Sequence, residues 1–316
     1  MPSHAKPSPA FSYIFATERD ALRSHKTVRE IPDKSAGTML AASWNLTNFG
    51  EQKRSDNDLK LMAEVISWFD LIAIQELKDN ISDLQELMSK LPAGYRTIIS
   101  DPGGNNERAG FIYDSNKVER LELAGEVAVP PSAHRHIRLK GISGVFTGFD
   151  RNPHLVAFRA GNLEFTAVSV HLFFGSESYR DEDRRTLEAF ALARWASLRM
   201  NSERAYTENV LLMGDFNLPK RDKSDNIYRA LTKKGLELPK FSSKIGSNLK
   251  GDKDYDQIGF HAGGMKEAFT KKGGVFDFDA KPFFEDAWNV SEKYFKSCIK
   301  FHIADHRPIW FEFKID

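Results

Sequence analysis

Val210-Leu211-Leu212-Met213-Gly214-Asp215-Phe216-Asn217 is the stretch on which the reading of this chain turns. Four consecutive apolar residues mark a strand covered on both faces, because a strand with one wet face would alternate. The strand then ends in Gly-Asp-Phe-Asn, polar residues that its packing does not require. The same construction recurs elsewhere. Ser43-Trp44-Asn45 closes an apolar run over 39–44, Gln75-Glu76 closes one over 71–74, and Val170-His171 closes one over 164–170. Ala304-Asp305-His306-Arg307-Pro308 precedes a last run over 308–313. Strand ends along one edge of a sheet lie close together, so these five clusters can meet around one pocket.

The residue types fit one task. Glu76, Asp215 and Asp305 offer hard anionic oxygens, and Asn45 and Asn217 offer neutral amide oxygens. Such a set suits Mg²⁺, with Mn²⁺ as a substitute, rather than Zn²⁺, which prefers Cys and His. His171 and His306 can exchange protons near neutral pH. A hard cation beside two histidines is what hydrolysis of a phosphodiester requires. Taken singly, each residue has a plainer explanation. An Asp or Asn after a strand usually forms a turn, and a lone His is more often a surface or core residue. The argument rests on all five clusters appearing together, each at a strand end.

Between the clusters the periodicity alternates. Helices are expected over 55–69, with Ser55 or Asp56 as cap, over 80–91 with Asn80 as cap, over 181–199 and over 224–234. Further strands are expected over 95–99, 109–113, 120–129, 154–159 and 255–260. Well-separated helices that cover the outside of two packed sheets make this an α+β chain. Residues 38–316 read as one catalytic domain. Residues 1–37 read as an extension, polar and Pro-rich at its start, with a short helix over 13–22.

Bulk composition narrows the function. Among 316 residues, Lys plus Arg is 45 and Asp plus Glu is 44, so the chain is no general polycation. Any nucleic-acid contact must come from a local basic patch. The alternating stretch 134–140, His-Arg-His-Ile-Arg-Leu-Lys, is a candidate patch or an edge strand with a solvated face. Cys298 is the one cysteine, which rules out an internal disulfide framework. The N-terminus has no apolar signal core and no run is long enough for a membrane span. A cytoplasmic enzyme without membrane contact is the expectation, with secretion left open and the oligomeric state not indicated.

These clusters together resemble the endonuclease/exonuclease/phosphatase superfamily, the deoxyribonuclease-I-like enzymes, over about residues 38–313. Three further segments carry the resemblance. Asn106-Glu107-Arg108-Ala109-Gly110-Phe111 is similar to the family's strand that starts with a glutamate. Asp150-Arg151-Asn152-Pro153 resembles its Arg-x-Pro segment, with Asn152 where an acid is frequent. Asp254-Tyr255-Asp256-Gln257-Ile258 resembles its Asp-x-Ile strand. The resemblance implies a four-layer α/β/β/α sandwich of two packed mixed β-sheets flanked by helices. It implies that Glu76, Asn45 and Asp305 hold the metal. Asp215 and Asn217 would hold the attacking water, the scissile phosphate or a second metal. His171 and His306 would contact the phosphate and move protons, oriented by Glu107 and Asp256. Arg151 would touch a substrate phosphate. The expected activity is nucleolytic cleavage of DNA, and possibly of RNA, leaving 5′-phosphate ends. The alternatives carried from sequence are a phosphatase or phosphodiesterase on inositol phosphates or sphingomyelin, and a binding protein that has kept the fold without catalysis. The disulfides of the family's secreted members have no counterpart here.

Overall fold

The computed structural model describes residues 3–316; Met1 and Pro2 of the expected extension lie outside the described residues. In chain order the elements are α1 (Phe15–Val28), β1 (Thr38–Phe49), α2 (Asp56–Ile66), β2 (Leu71–Leu77), α3 (Ser82–Lys90), β3 (Tyr95–Ile99), β4 (Arg108–Asp114), β5 (Val118–Glu126), α4 (Pro131–His134), β6 (His154–Ala160) and β7 (Leu163–His171). They continue as α5 (Tyr179–Met200), β8 (Val210–Asp215), α6 (Asn226–Thr232), β9 (Asp256–Phe260), α7 (Gly264–Ala268), β10 (Phe269–Val275), α8 (Glu285–Val290), α9 (Glu292–His302) and β11 (Ile309–Lys314).

The strands form two sheets, ordered β10-β11-β1-β2-β4-β3 and β5-β6-β7-β8-β9. Each sheet is built around one parallel pair, β1/β2 in the first and β7/β8 in the second, and their flanking partners run antiparallel. The C-terminal ends of the parallel pairs therefore lie beside the N-terminal ends of β4, β9 and β11. All the polar clusters fall on this edge.

Strand parity decides which side chains face between the sheets. Met39 and Ala41 of β1, Phe165 and Ala167 of β7, Leu211 and Met213 of β8 and Phe311 of β11 share one buried cluster between the sheets. The alternate residues, Leu40, Ala42, Trp44 and Leu46 in β1, pack outward under α1, α2, α3 and α9. Leu212 of β8 packs outward under α5 and α6. Fully burying each of these large side chains contributes about 2 kcal/mol. The two faces make four layers, the expected sandwich of mixed sheets. The same alternation carries Ser43, Asn45, Gln75, Ser169, His171, Asp215 and Asp256 to the inner face at the rim.

Several local expectations differ from the structure. Ser55 does cap α2, in a reciprocal box with Asp58. Asn80 stands one residue before the cap of α3 and accepts from the Ser82 amide at 3.1 Å. The stretch 134–140 is no strand. It continues from α4 into a turn, because Ile137 is buried while Arg135, His136 and Arg138 point to solvent. His302 and His306 were read in a segment without helical pattern, yet His302 is the last residue of α9, with Phe295, Cys298 and Ile299 on the same buried face. The N-terminal helix starts at Phe15 and runs on to Val28. Glu18 accepts from the Phe284 amide at 2.7 Å and His25 bonds Asp277 at 2.6 Å, so the extension is fastened to the body.

Candidate active site

Backbone geometry at the rim explains how these side chains converge. Glu76 follows Gln75 in strand parity and would face outward in a regular β2. It instead has φ of 59°, and the β2/β4 register shifts between Ile74 and Leu77. This left-handed residue turns the carboxylate back into the site. On β1 the register shifts between Asn45 and Phe49, and Thr47 and Asn48 have φ of 53° and 46°. Asn217 has φ of 50°. Left-handed backbone at a β-branched threonine and at a glutamate costs roughly 1–2 kcal/mol each. Such costs persist where surrounding bonds over-determine the geometry, and here they do.

The Asn45 amide nitrogen donates to Glu76 Oε1 at 2.9 Å and to Asp215 Oδ2 at 3.2 Å. Its oxygen accepts from the Thr47 amide at 3.0 Å, which fixes the orientation of the group. The sequence suggested Asn45 as an oxygen donor; the structure turns its nitrogen toward the carboxylates. Glu76 Oε2 accepts from the Asn48 amide at 2.9 Å. Thr47 and Asp305 bond reciprocally, the hydroxyl donating to Oδ1 at 2.7 Å and the Asp305 amide donating back at 3.0 Å. Arg54 ties these two loops together by donating to the carbonyls of Leu46, Thr47 and Ile303. Burial lowers its guanidinium pKa to about 10.

Asp215 lies at the centre. Its Oδ2 is 3.7 Å from His171 Nε2 and 3.8 Å from His306 Nε2. Each imidazole has a second carboxylate behind it. His306 Nδ1 donates to Asp256 Oδ2 at 2.8 Å, and His171 Nδ1 is 3.2 Å from Glu107 Oε2, in ion-pair range but off hydrogen-bond alignment. Burial pulls the His306 pKa down, but Asp256 and Asp215 outweigh it and raise the value well above the ordinary histidine range. Burial would raise Glu107, but His171, Arg151 and Lys78 hold it at about 2. Asp305 is likewise buried, yet His4, His306 and Thr47 keep it far below the usual carboxylate range.

Two residues stand differently from expectation. The Arg151 guanidinium donates to the carbonyls of His171 and Leu172 and lies 3.4 Å from Glu107. It is 8% exposed, a strut beneath His171 rather than a free phosphate contact. Asn217 donates through its amide nitrogen to Leu172 O at 2.7 Å, while its backbone amide donates to Asp215 Oδ1 at 2.8 Å. The sequence reading also missed residues. Lys78 donates to Glu107 at 3.1 Å, Gln75 donates to Ser169 across the sheets at 3.0 Å, and His4 reaches Asp305 at 3.1 Å. Lys78 and Ser169 sit two residues from recognised positions and could have been found by parity. His4 has no such signal.

Asp215, Asp256 and His306 bring one ligand atom each within 4.8 Å of one another. Because Asp256 and His306 bond each other directly, we read that trio as a proton-handling unit. Glu76 and Asp305 are linked through Asn45 and Thr47. Two anionic carboxylates in an oxygen-rich, buried rim are a donor set that fits a hard divalent cation.

No family model matches the chain. Deoxyribonuclease-1 of Mus musculus is 32% identical over 192 residues, 58% of this chain and 61% of the relative. Deoxyribonuclease gamma of Homo sapiens is 28% identical over 197 residues, 58% of this chain and 57% of the relative. An endonuclease/exonuclease/phosphatase family protein of Bacteroides thetaiotaomicron superposes with a TM-score of 0.56 at 18% identity, covering 88% of this chain and 95% of its own. The chain belongs to the endonuclease/exonuclease/phosphatase superfamily. D. rerio TDP2, in complex with a single-strand DNA product, has the same superfamily fold, with a TM-score of 0.57, 14% identity and coverage of 88% and 99%. The chain spans 57%, 49% and 61% of the length of three curated deoxyribonuclease relatives. No helix among the described residues is long and apolar enough to cross a membrane.

Proposed function

We propose that this superfamily member is a Mg²⁺-dependent phosphodiesterase, with Mn²⁺ as a substitute, that hydrolyses nucleic-acid strands and leaves 5′-phosphate ends. One observation carries the reading: a central carboxylate, Asp215, faces two imidazoles that are each backed by a second carboxylate. Sequence relatives of this chain are deoxyribonucleases, which makes DNA the favoured substrate.

In this reading Glu76 and Asp305 hold the cation, and Asn45 sets the carboxylate of Glu76. The chemistry such a cation supplies when bound is neutralisation of charge on the phosphate oxygens. The chain's own residues do the rest. Asp215, fixed by Asn45 and the Asn217 amide, orients the attacking water and takes its proton. His306, held as imidazolium by Asp256, faces the phosphate and donates toward the leaving oxygen. His171, braced by Glu107 and by Arg151 under its carbonyl, contacts a second phosphate oxygen. Asn217 keeps the Asp215 loop against the end of β7.

A screen with end-labelled duplex DNA, single-stranded DNA and RNA, run beside inositol phosphates, tests the substrate class. We expect Mg²⁺-dependent strand cleavage with 5′-phosphate ends and no phosphate release from the inositol phosphates. Phosphate release with intact strands would reverse the assignment.

A further inference from the structure

The N-terminal segment ends against the proposed cation site, and several independent contacts hold it there. The His4 amide donates to Gln52 Oε1 at 2.6 Å, and Gln52 is itself buried. Tyr294 of α9 donates through its hydroxyl to Pro9 O at 2.8 Å. Phe11 packs edge-on to Phe284 with ring centroids 4.9 Å apart. A strap fastened at these points carries the His4 imidazole to Asp305, where Nε2 stands 3.1 Å from Oδ2. The other oxygen of Asp305 is already taken by Thr47. The His4 side chain is only 27% exposed, unlike a histidine on a free tail.

The separation is informative. Neighbouring ligands of an octahedral cation, each at about 2.1 Å, lie about 3 Å apart. The same nitrogen–oxygen spacing thus serves a hydrogen bond in the cation-free chain and shared coordination when a cation is present. The geometry points to His4 as a further ligand, supplied by the N-terminal strap, to the cation held by Glu76 and Asp305. This inference rests on the reading of those two carboxylates as the metal site. An imidazole in an otherwise all-oxygen set favours Mn²⁺ or Co²⁺ over Mg²⁺, because borderline cations gain more from nitrogen. The strap would then set metal preference as well as close the rim.

The test uses the full chain loaded with Mn²⁺ in the absence of substrate. Pulsed EPR reads nitrogen coupling to the ion, and calorimetry reads Mn²⁺ and Mg²⁺ affinity, for the native chain, His4→Ala, His4→Gln and Glu76→Gln. We expect a nitrogen coupling that both His4 variants lose. Mn²⁺ affinity should fall roughly 10–100-fold in these variants, and Mg²⁺ affinity less. Unchanged coupling and affinity in His4→Ala would overturn the inference and leave the metal site standing. Native affinity in His4→Gln, which keeps a hydrogen-bond donor without the imidazole, would also overturn it, as only a positioning role would remain. Native affinity in Glu76→Gln would overturn the metal-site reading itself.

Discussion

Glu107 and His306 show how single residues acquire their protonation states here. The Glu107 carboxylate is nearly buried, yet its pKa is held at about 2 by His171, Arg151 and Lys78. A carboxylate with a folded pKa below its unfolded value, about 4.5, stabilises the fold above pH 4.5. That contribution is lost as pH falls toward 2. Glu107→Gln removes this linkage. We expect urea unfolding at pH 5 and pH 3 to show a shallower loss of stability in the variant than in the native chain; equal slopes would contradict the pairing. His306 acts on the reaction itself. His306→Ala should lower kcat by roughly 10²–10⁴-fold with little change in KM, since the imidazolium works in the transition state. Steady-state kinetics on an oligonucleotide separates the two parameters, and a loss confined to KM would reduce His306 to a binding group. At this scale the sequence was most informative where a polar residue closed an apolar run. It was least informative where partners are remote in the chain: His4 lies 301 positions from Asp305. The commitment of Arg151 to the carbonyls of His171 and Leu172 was equally hidden, because an arginine beside a proline looks the same whether it faces substrate or scaffold.

Elements place these residues through parity and through departures from parity. The inner-face alternation in β1, β7 and β8 was readable in the apolar pattern, and it delivers Asn45, His171 and Asp215 to one rim. The inward turn of Glu76 was not readable, since it depends on a left-handed residue at a register shift. Gly214 is a second such point. It has φ of 149°, and a Cβ there would lie 2.0 Å from Val170 O on the adjacent strand. Any side chain must push β8 away from β7 exactly one residue before Asp215. Gly214→Ala should cost about 3 kcal/mol or more and depress turnover with it, measured by chemical denaturation and by initial rates. A variant of native stability would show that the strands can part without strain. Residues 264–302 went largely unread as elements. In β10, two lysines and two glycines obscure any strand pattern. In α9, the apolar stripe was present but broken by Tyr294 and Lys296.

The whole molecule stacks two sheets so that the ends of two parallel pairs face one another. Five segments distant in sequence meet there. This arrangement followed from reading strand ends as a set, whereas no single cluster would have supported it. The surface is less legible. The chain is close to electrically neutral, with a formal charge of +1, so attraction to a polyanion must be local, and the expected basic strand at 134–140 is a turn. The most direct measurement is relaxation of supercoiled plasmid by the native chain and by Asp215→Ala, with Mg²⁺ and with EDTA. The account predicts nicking by the native chain with Mg²⁺ alone, and intact plasmid in the other three lanes. Intact plasmid in every lane across a range of divalent cations, or equal nicking by Asp215→Ala, would contradict it.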